Sequence, residues 1–116
     1  MTLQEREARA CTIIDSMTEA LRDISLYLHD NPELGLNEHK AVKVINQFLE
    51  THNFTSQVGL TDLPELQTAL RGDYNSTAQH KIAFLGEYDA LPELGHGCGH
   101  NLIAMMSLGA AIAFSQ

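Results

Sequence analysis

The sequence is poor in basic residues and cysteine, and it contains no tryptophan. Seven lysines and arginines stand against fifteen aspartates and glutamates, which gives a formal net charge of −8. Nucleic acids and anionic membrane surfaces both require a basic binding face, which so acidic a chain does not favour. We therefore expect neither of them as a partner.

Several kinds of segment are also missing. There is no basic N-terminal region followed by an apolar run, and the longest apolar stretch, residues 102–114, is too short to span a bilayer. The two cysteines, Cys11 and Cys98, are too few for a disulfide-stabilised secreted scaffold, so each is interpreted separately. Cys11 is expected in the core. Together these features predict a chain without a signal peptide in a reducing cytoplasm.

The spacing of apolar residues predicts two helices in the first half of the chain. A capping box of Thr2 and Glu5 begins the first helix, and Pro32 ends it. Asn37 is predicted to cap the second helix, which ends at Asn53 in a left-handed conformation. The buried stripe of the first helix comprises Ile14, Met17, Leu21, Ile24 and Leu28. The buried face of the second comprises Ala41, Val44, Ile45, Phe48 and Leu49.

The second half predicts short strands and one further helix, so the fold class is α/β with helices packed on a small sheet. Residues 55–58 and 66–70 are strand candidates, and the polar segment 73–79 is expected to form the turn through which neighbouring strands pair. Residues 81–85, KIAFL, are typical of a central strand that is buried on both faces. Residues 101–115 are almost wholly apolar and predict a helix in the centre of a larger protein.

This last helix bears on the extent of the chain. A helix that is apolar on every side, with no strand after it, indicates a sequence that stops inside a larger fold. We therefore expect residues 1–116 to be an incomplete N-terminal portion of a domain. A truncated sheet has an open edge, so self-association is expected as well.

The residues that can carry chemistry are concentrated in residues 86–101, GEYDALPELGHGCGHN. This stretch follows the predicted central strand and precedes a helix, which is where α/β proteins place their sites. Cysteine, histidine and carboxylate are the ligand types that zinc prefers. The residues of these types are Glu87, Asp89, Glu93, His96, Cys98 and His100.

The residues alone leave three interpretations of this cluster. The favoured one is a metal site at Cys98 and His100, because the flanking glycines let the backbone bend so that near neighbours face one ion. The second is a structural role without metal, since a lone cysteine often acts as a small buried hydrophobe. The third is a Cys–His nucleophilic pair, which needs a base that a third group orients.

Residues 86–101 resemble the metal-binding signature of the aminoacylase and carboxypeptidase G family of di-metal amidohydrolases and metallopeptidases, in its cysteine-containing branch. Members of that branch read close to DALP, then GHACGH followed by Asp or Asn. Residues 28–41, LHDNPELGLNEHKA, resemble the family's LHxxPELxxxE segment. The opening GEYDALP and the closing GHN look most like the aminobenzoyl-glutamate hydrolases and dipeptidase-like members.

The resemblance implies roles for individual residues. Cys98 and His100 align with two ligands of a paired metal site, and Asp89 aligns with a carboxylate that orients a ligand histidine. Glu87 stands where the wider peptidase group has histidine. It is a candidate ligand, although a polar neighbour is the favoured interpretation. His96 is expected to shape the loop or to contact the substrate.

The second motif and the rest of the family pattern imply further features. His29, Glu33 and Glu38 are expected to fix the turn between the first two helices. The implied fold is the N-terminal part of a zinc-peptidase-like catalytic domain. The general-base glutamate, the remaining ligands and a lid domain that also forms dimers do not occur in this chain.

The resemblance implies two divalent ions, zinc or manganese, in the complete enzyme. The implied substrates are N-acyl amino acids, aminobenzoyl-glutamate-type compounds or dipeptides, each cleaved at an amide bond. The chain alone is expected to be inactive. The alternative is a non-catalytic metal-binding or interaction module that has retained the loop.

Overall fold

The computed structural model describes residues 1–60 and 62–116. The helices are α1 (Leu3–Ser16), α2 (Thr18–Asp30), α3 (His39–Thr51) and α4 (His100–Ser115), and the strands are β1 (Thr55–Val58) and β2 (Leu70–Asp73). The predicted α/β class, helices packed on a small sheet, is confirmed. Within these described ranges, no helix combines the length and the apolar character needed to cross a membrane.

The first helical region consists of two helices, so the prediction of one continuous helix is wrong at Met17. Met17 has φ −101° and ψ 5° and separates α1 from α2. The hydroxyls of Ser16 and Thr18 donate to the carbonyls of Ile13 and Asp15. Side-chain hydroxyls that bind backbone carbonyls in this way bend helices. The capping box at the start of α1 is confirmed.

The core lies where α2 and α3 meet α4. Leu28 and Ile112 are the most deeply buried side chains, each 1% exposed. Three residues of the predicted first stripe are buried, and Ile14 and Ile24 pack at its margin. α1 has no buried residue, so the expectation that Cys11 lies in the core is wrong and its thiol is exposed. The buried cluster comprises Met17, Leu21, Leu28, Ala41, Ile45, Leu49, Ala104, Met105, Leu108 and Ile112.

The start of α3 is held by an upstream carboxylate. The predicted cap at Asn37 is wrong, because the cap position is Glu38 and its side chain makes no capping bond. The carboxylate of Glu33 instead accepts the N–H groups of Lys40, at 2.9 Å, and Ala41, at 2.8 Å. The first N–H groups of a helix have no partner inside the helix, and a carboxylate also suits the positive end of the helix dipole.

The sheet is a two-stranded antiparallel hairpin. β1 has the predicted bounds, whereas β2 begins at Leu70, where the predicted strand ends. The strands pair across residues 59–69, so the prediction that pairing runs through residues 73–79 is wrong. Gly59 has φ +79° and donates its N–H to the Ala69 carbonyl at 2.7 Å, which turns the chain out of β1.

Residues 81–85, the predicted central strand, form no strand within the described part of the chain. The segment is free of turns and bends, and it lies against α4, where the Ser107 hydroxyl donates to the Leu85 carbonyl. A Cβ built on Gly86 would lie 3.0 Å from the Ser107 side chain, so the backbone approaches the helix closely. An apolar run favours an extended chain, but a strand also needs a neighbouring strand for its backbone hydrogen bonds.

A buried polar chain connects the hairpin to the segment that precedes the candidate site. Glu38 is 7% exposed, and its Oε2 accepts the Thr68 hydroxyl at 2.5 Å. The Tyr88 hydroxyl donates to the Thr68 carbonyl. Burial, with the nearby charge of Glu38, raises the pKa of Tyr88 to about 12. Glu38 therefore stabilises a long-range contact as well as the turn of its own motif.

Truncation of the core should separate the two faces of α2. Leu28→Ala is expected to lower the free energy of unfolding by about 2–5 kcal/mol, because it removes a buried side chain and leaves a cavity. The matched control is Leu26→Ala on the same helix, where the side chain is 47% exposed; its effect should stay within about 0.5 kcal/mol. Urea unfolding followed by circular dichroism measures both, and equal losses would contradict this assignment of the buried face.

The raised pKa of Tyr88 predicts a loss of stability at high pH. The unfolded chain releases this proton near pH ~10, whereas the folded chain holds it to about 12. The folded state therefore binds more protons between these values, and its stability falls as pH rises through that window. Urea unfolding at a series of alkaline pH values should show a shallower decline in Tyr88→Phe. An equal slope in the two proteins would contradict the prediction.

Candidate functional site

The two segments that carry the family resemblance lie side by side. Leu34 and Ala90 form a parallel β-bridge, and the Ala90 N–H donates to the Glu33 carbonyl at 2.7 Å. At the other end of the loop, the Asn101 amide donates to the carbonyl and the hydroxyl of Ser25, at 3.3 and 3.2 Å. Asn101 and Ser25 are both buried. The first motif region and the end of α2 therefore hold both ends of the loop.

The loop reaches α4 through tight turns that glycines permit. Leu91 and Gly95 exchange backbone hydrogen bonds at 2.8 and 3.1 Å. Gly95 and Gly99 have φ values of +57° and +83°, in the left-handed region where a side chain causes strain. The expected tight bend is therefore present. Gly99 separates Cys98 from His100, which is the first residue of α4.

Asp89 and His100 form the central contact of the site. Asp89 Oδ1 lies 2.7 Å from His100 Nδ1, and the Asp89 carbonyl oxygen lies 3.1 Å from the same nitrogen. A backbone carbonyl can only accept, so the proton of the neutral imidazole is on Nδ1 and Nε2 keeps its lone pair. A carboxylate that holds a histidine in this way presents the other nitrogen to a metal ion.

Cys98 and His96 differ in their exposure. The Cys98 thiol is exposed and unpaired with any other cysteine of the described residues. His96 is 8% exposed, and its buried Nδ1 has no hydrogen-bond partner of acceptable geometry among the described atoms. Burial, followed by the charges of His100 and His29, lowers the pKa of His96. A buried nitrogen without a partner is destabilising, and a water molecule or a ligand atom would satisfy it.

A cleft of about 260 Å³ adjoins the site. It lies between the turn that precedes α3 and the segment that leads into the loop. Asp89 and the exposed Glu87 line one side, and Glu38 lines the other. Of the three residues expected to fix the turn, Glu33 and Glu38 make such contacts, whereas His29 is exposed and lies 3.2 Å from Asp30.

Sequence reasoning missed Thr68 and Tyr88 as supports of this region. Thr68 lies thirty residues from its partner Glu38, and Tyr88 lies twenty from Thr68. Neither spacing leaves a local pattern in the sequence. The one available signal was the position of Glu38 within the second motif, which did not show what it contacts.

The residues present fit part of a metal site. In the chain outside residue 61, no three histidine, cysteine, aspartate or glutamate side chains lie close enough together to hold a metal ion. The donor types are nevertheless those of a zinc-type ion, a thiol at Cys98 and an oriented imidazole at His100. Zinc usually takes three or four protein ligands, so these two would form one side of a site.

Comparison with known proteins identifies relatives over almost the whole chain. It is 37% identical over 116 residues to Xaa-Arg dipeptidase of Mus musculus and 33% identical over 119 residues to the Homo sapiens protein of that name. Both matches cover 95% of this chain and 27% of the relative. It is also 33% identical over 124 residues to a p-aminobenzoyl-glutamate hydrolase polypeptide of Escherichia coli, across 89% of this chain and 25% of the relative.

The chain spans about a quarter of the length of these curated relatives. No family model matches the chain. The similarity to the two dipeptidases nevertheless extends over both motifs. It confirms the resemblance that they carry, to the amidohydrolases and metallopeptidases of the aminoacylase and carboxypeptidase G family.

Proposed function

We propose that this chain supplies one side of the metal site of a metal-dependent amidohydrolase. The observation that carries the proposal is the Asp89–His100 contact of 2.7 Å, which leaves Nε2 of His100 unprotonated beside Cys98. The activities for which the relatives are named, those of a dipeptidase and an aminobenzoyl-glutamate hydrolase, support hydrolysis of an amide bond. The substrate class is N-acyl amino acids, aminobenzoyl-glutamate-type compounds or dipeptides.

Residues of this chain would bind and orient the metal. When bound, a zinc or manganese ion polarises the amide carbonyl and lowers the pKa of a bound water. Cys98 Sγ and His100 Nε2 would hold it, and Asp89 keeps the proton of His100 on Nδ1. Glu87 is a further candidate ligand, and the unpartnered Nδ1 of His96 can bind a water molecule or a polar substrate atom.

The complete catalytic apparatus requires more sequence than residues 1–116. Two ligands are fewer than a zinc site uses, and the chain matches about a quarter of its relatives. We infer that the chain is an N-terminal portion of the catalytic domain and is inactive by itself. The general base, the remaining ligands and the lid domain would come from the rest of a longer protein. The two free thiols support a location in the cytoplasm.

A second candidate function is a non-catalytic module that binds a metal through the loop. The observation that favours it is the convergence of only two ligand types within the described chain. Metal binding without any hydrolysis, in a protein that ends near residue 116, would support this candidate over the first.

The orientation of His100 predicts its tautomer. Free neutral histidine prefers the proton on Nε2, whereas the contacts of His100 place it on Nδ1. Long-range proton–nitrogen correlation spectra at neutral pH should show this inverted tautomer. In Asp89→Ala the population should shift toward Nε2–H, while the exposed His39 serves as the internal control. A wild-type His100 with its proton on Nε2 would contradict the proposed metal-facing nitrogen.

The two cysteines allow a matched test of the ligand role. Cobalt(II) added to the chain should produce a thiolate-to-metal absorption band that Cys98→Ser removes. Cys11→Ser should retain the band, because Cys11 is an exposed thiol on α1, away from the loop. In the complete protein, Cys98→Ser should lose bound metal and amide hydrolysis together, and Cys11→Ser should lose neither.

Two results would count against the proposal. A complete protein that keeps full metal content and activity in Cys98→Ser would exclude Cys98 as a ligand. Metal-dependent hydrolysis of a dipeptide or of an aminobenzoyl-glutamate by residues 1–116 alone would show that the chain is active, contrary to the inference above.

A further inference from the structure

Residues 81–87, KIAFLGE, leave one edge of their backbone without a partner. The segment runs without turn or bend, and none of its N–H groups donates to an atom of the described residues. The Leu85 carbonyl accepts the Ser107 hydroxyl, so that edge faces α4. Peptide groups alternate in direction along an extended chain, which turns those of Ile82 and Phe84 toward the opposite, open edge.

The same segment forms an apolar surface together with the outer face of α4. Ile82 is 63% exposed and Leu85 is 84% exposed. The rings of Phe84 and Phe114 lie 6.0 Å apart and connect the segment to the helix. Exposed apolar side chains continue along α4 at Leu102, Met106 and Phe114. An apolar surface beside an unpaired strand edge favours a partner that adds a strand.

The segment complements itself when two copies are placed antiparallel. A two-fold axis at Phe84 puts Lys81 of each copy opposite Glu87 of the other. The alternation of open-edge peptide groups at Ile82 and Phe84 matches this register. The remaining pairs each join a large side chain to a small one, Ile82 to Gly86 and Leu85 to Ala83.

We propose that two copies of this chain associate through residues 81–87, as an antiparallel strand pair about Phe84. The arrangement uses the same surface on both copies, so it closes as a dimer and leaves neither open edge exposed. The proposal does not rest on the hydrolase function or on a bound metal.

Local charge, and not net charge, is expected to decide the pairing. Each copy carries a net charge of −8, which opposes association. At physiological ionic strength, however, charges separated by more than about 8 Å are largely screened. The Lys81–Glu87 pairs of the proposed register are close enough to attract each other under these conditions.

The mass of the chain in solution tests the proposal. Sedimentation equilibrium of residues 1–116 at physiological salt, with a chelator present, is expected to give twice the 12.8 kDa of one chain at micromolar concentrations. Lys81→Glu should raise the dimer dissociation constant by about tenfold, since two attractive pairs become repulsive. The double variant Lys81→Glu/Glu87→Lys should restore the dimer. Phe84→Lys, which puts like charges on the two-fold axis, should leave the chain monomeric.

The control is Lys43→Glu, which makes the same charge change on an exposed position of α3 and should leave the dimer unchanged. Circular dichroism verifies that each variant is folded, which exposed substitutions should permit. A monomeric wild type would overturn the proposal and leave this surface to a different strand. A dimer that persists in both Lys81→Glu and Phe84→Lys, or a double variant that stays weakened, would also overturn it.

Discussion

Glu33 is the residue on which the rest of the arrangement depends, because it makes two contacts at once. Its carbonyl accepts the Ala90 N–H at 2.7 Å, and its carboxylate accepts the N–H groups that begin α3. One turn therefore sets both the start of a core helix and the start of the site loop. The buried Asn101–Ser25 contact fixes the other end of that loop on α2. This is the physical reason that the two motifs, far apart in sequence, belong to one site.

The site takes its rigidity from the hydrophobic core. α4 begins at His100, and the same helix buries Leu108 and Ile112 against the other helices. The position of the imidazole is therefore coupled to packing several turns away, and the Asp89 contact sets the orientation of its ring. The outer face of α4 and residues 82–85 remain exposed, which gives one element two roles, in the core and at a candidate interface.

Local patterns predicted local structure well. The Thr2–Glu5 capping box, the left-handed φ of 65° at Asn53 and the bounds of β1 are all confirmed. Failures came where a distant partner decides the outcome. Asn37 has the right chemistry for a cap, but the Glu33 carboxylate reaches the same N–H groups. Residues 81–85 have the composition of a strand without a neighbouring strand to pair with.

For the candidate site, the sequence by itself determined which residue types are present, their spacing and the glycines that let the loop bend. It also determined the family, because the two motifs are contiguous strings. Only the tertiary structure decided that Asp89 contacts His100 through Nδ1, that His96 is buried and that Cys98 is exposed. These properties depend on how α2, α3 and α4 pack around the loop. Such contacts join residues that are distant along the chain, so no local pattern encodes them.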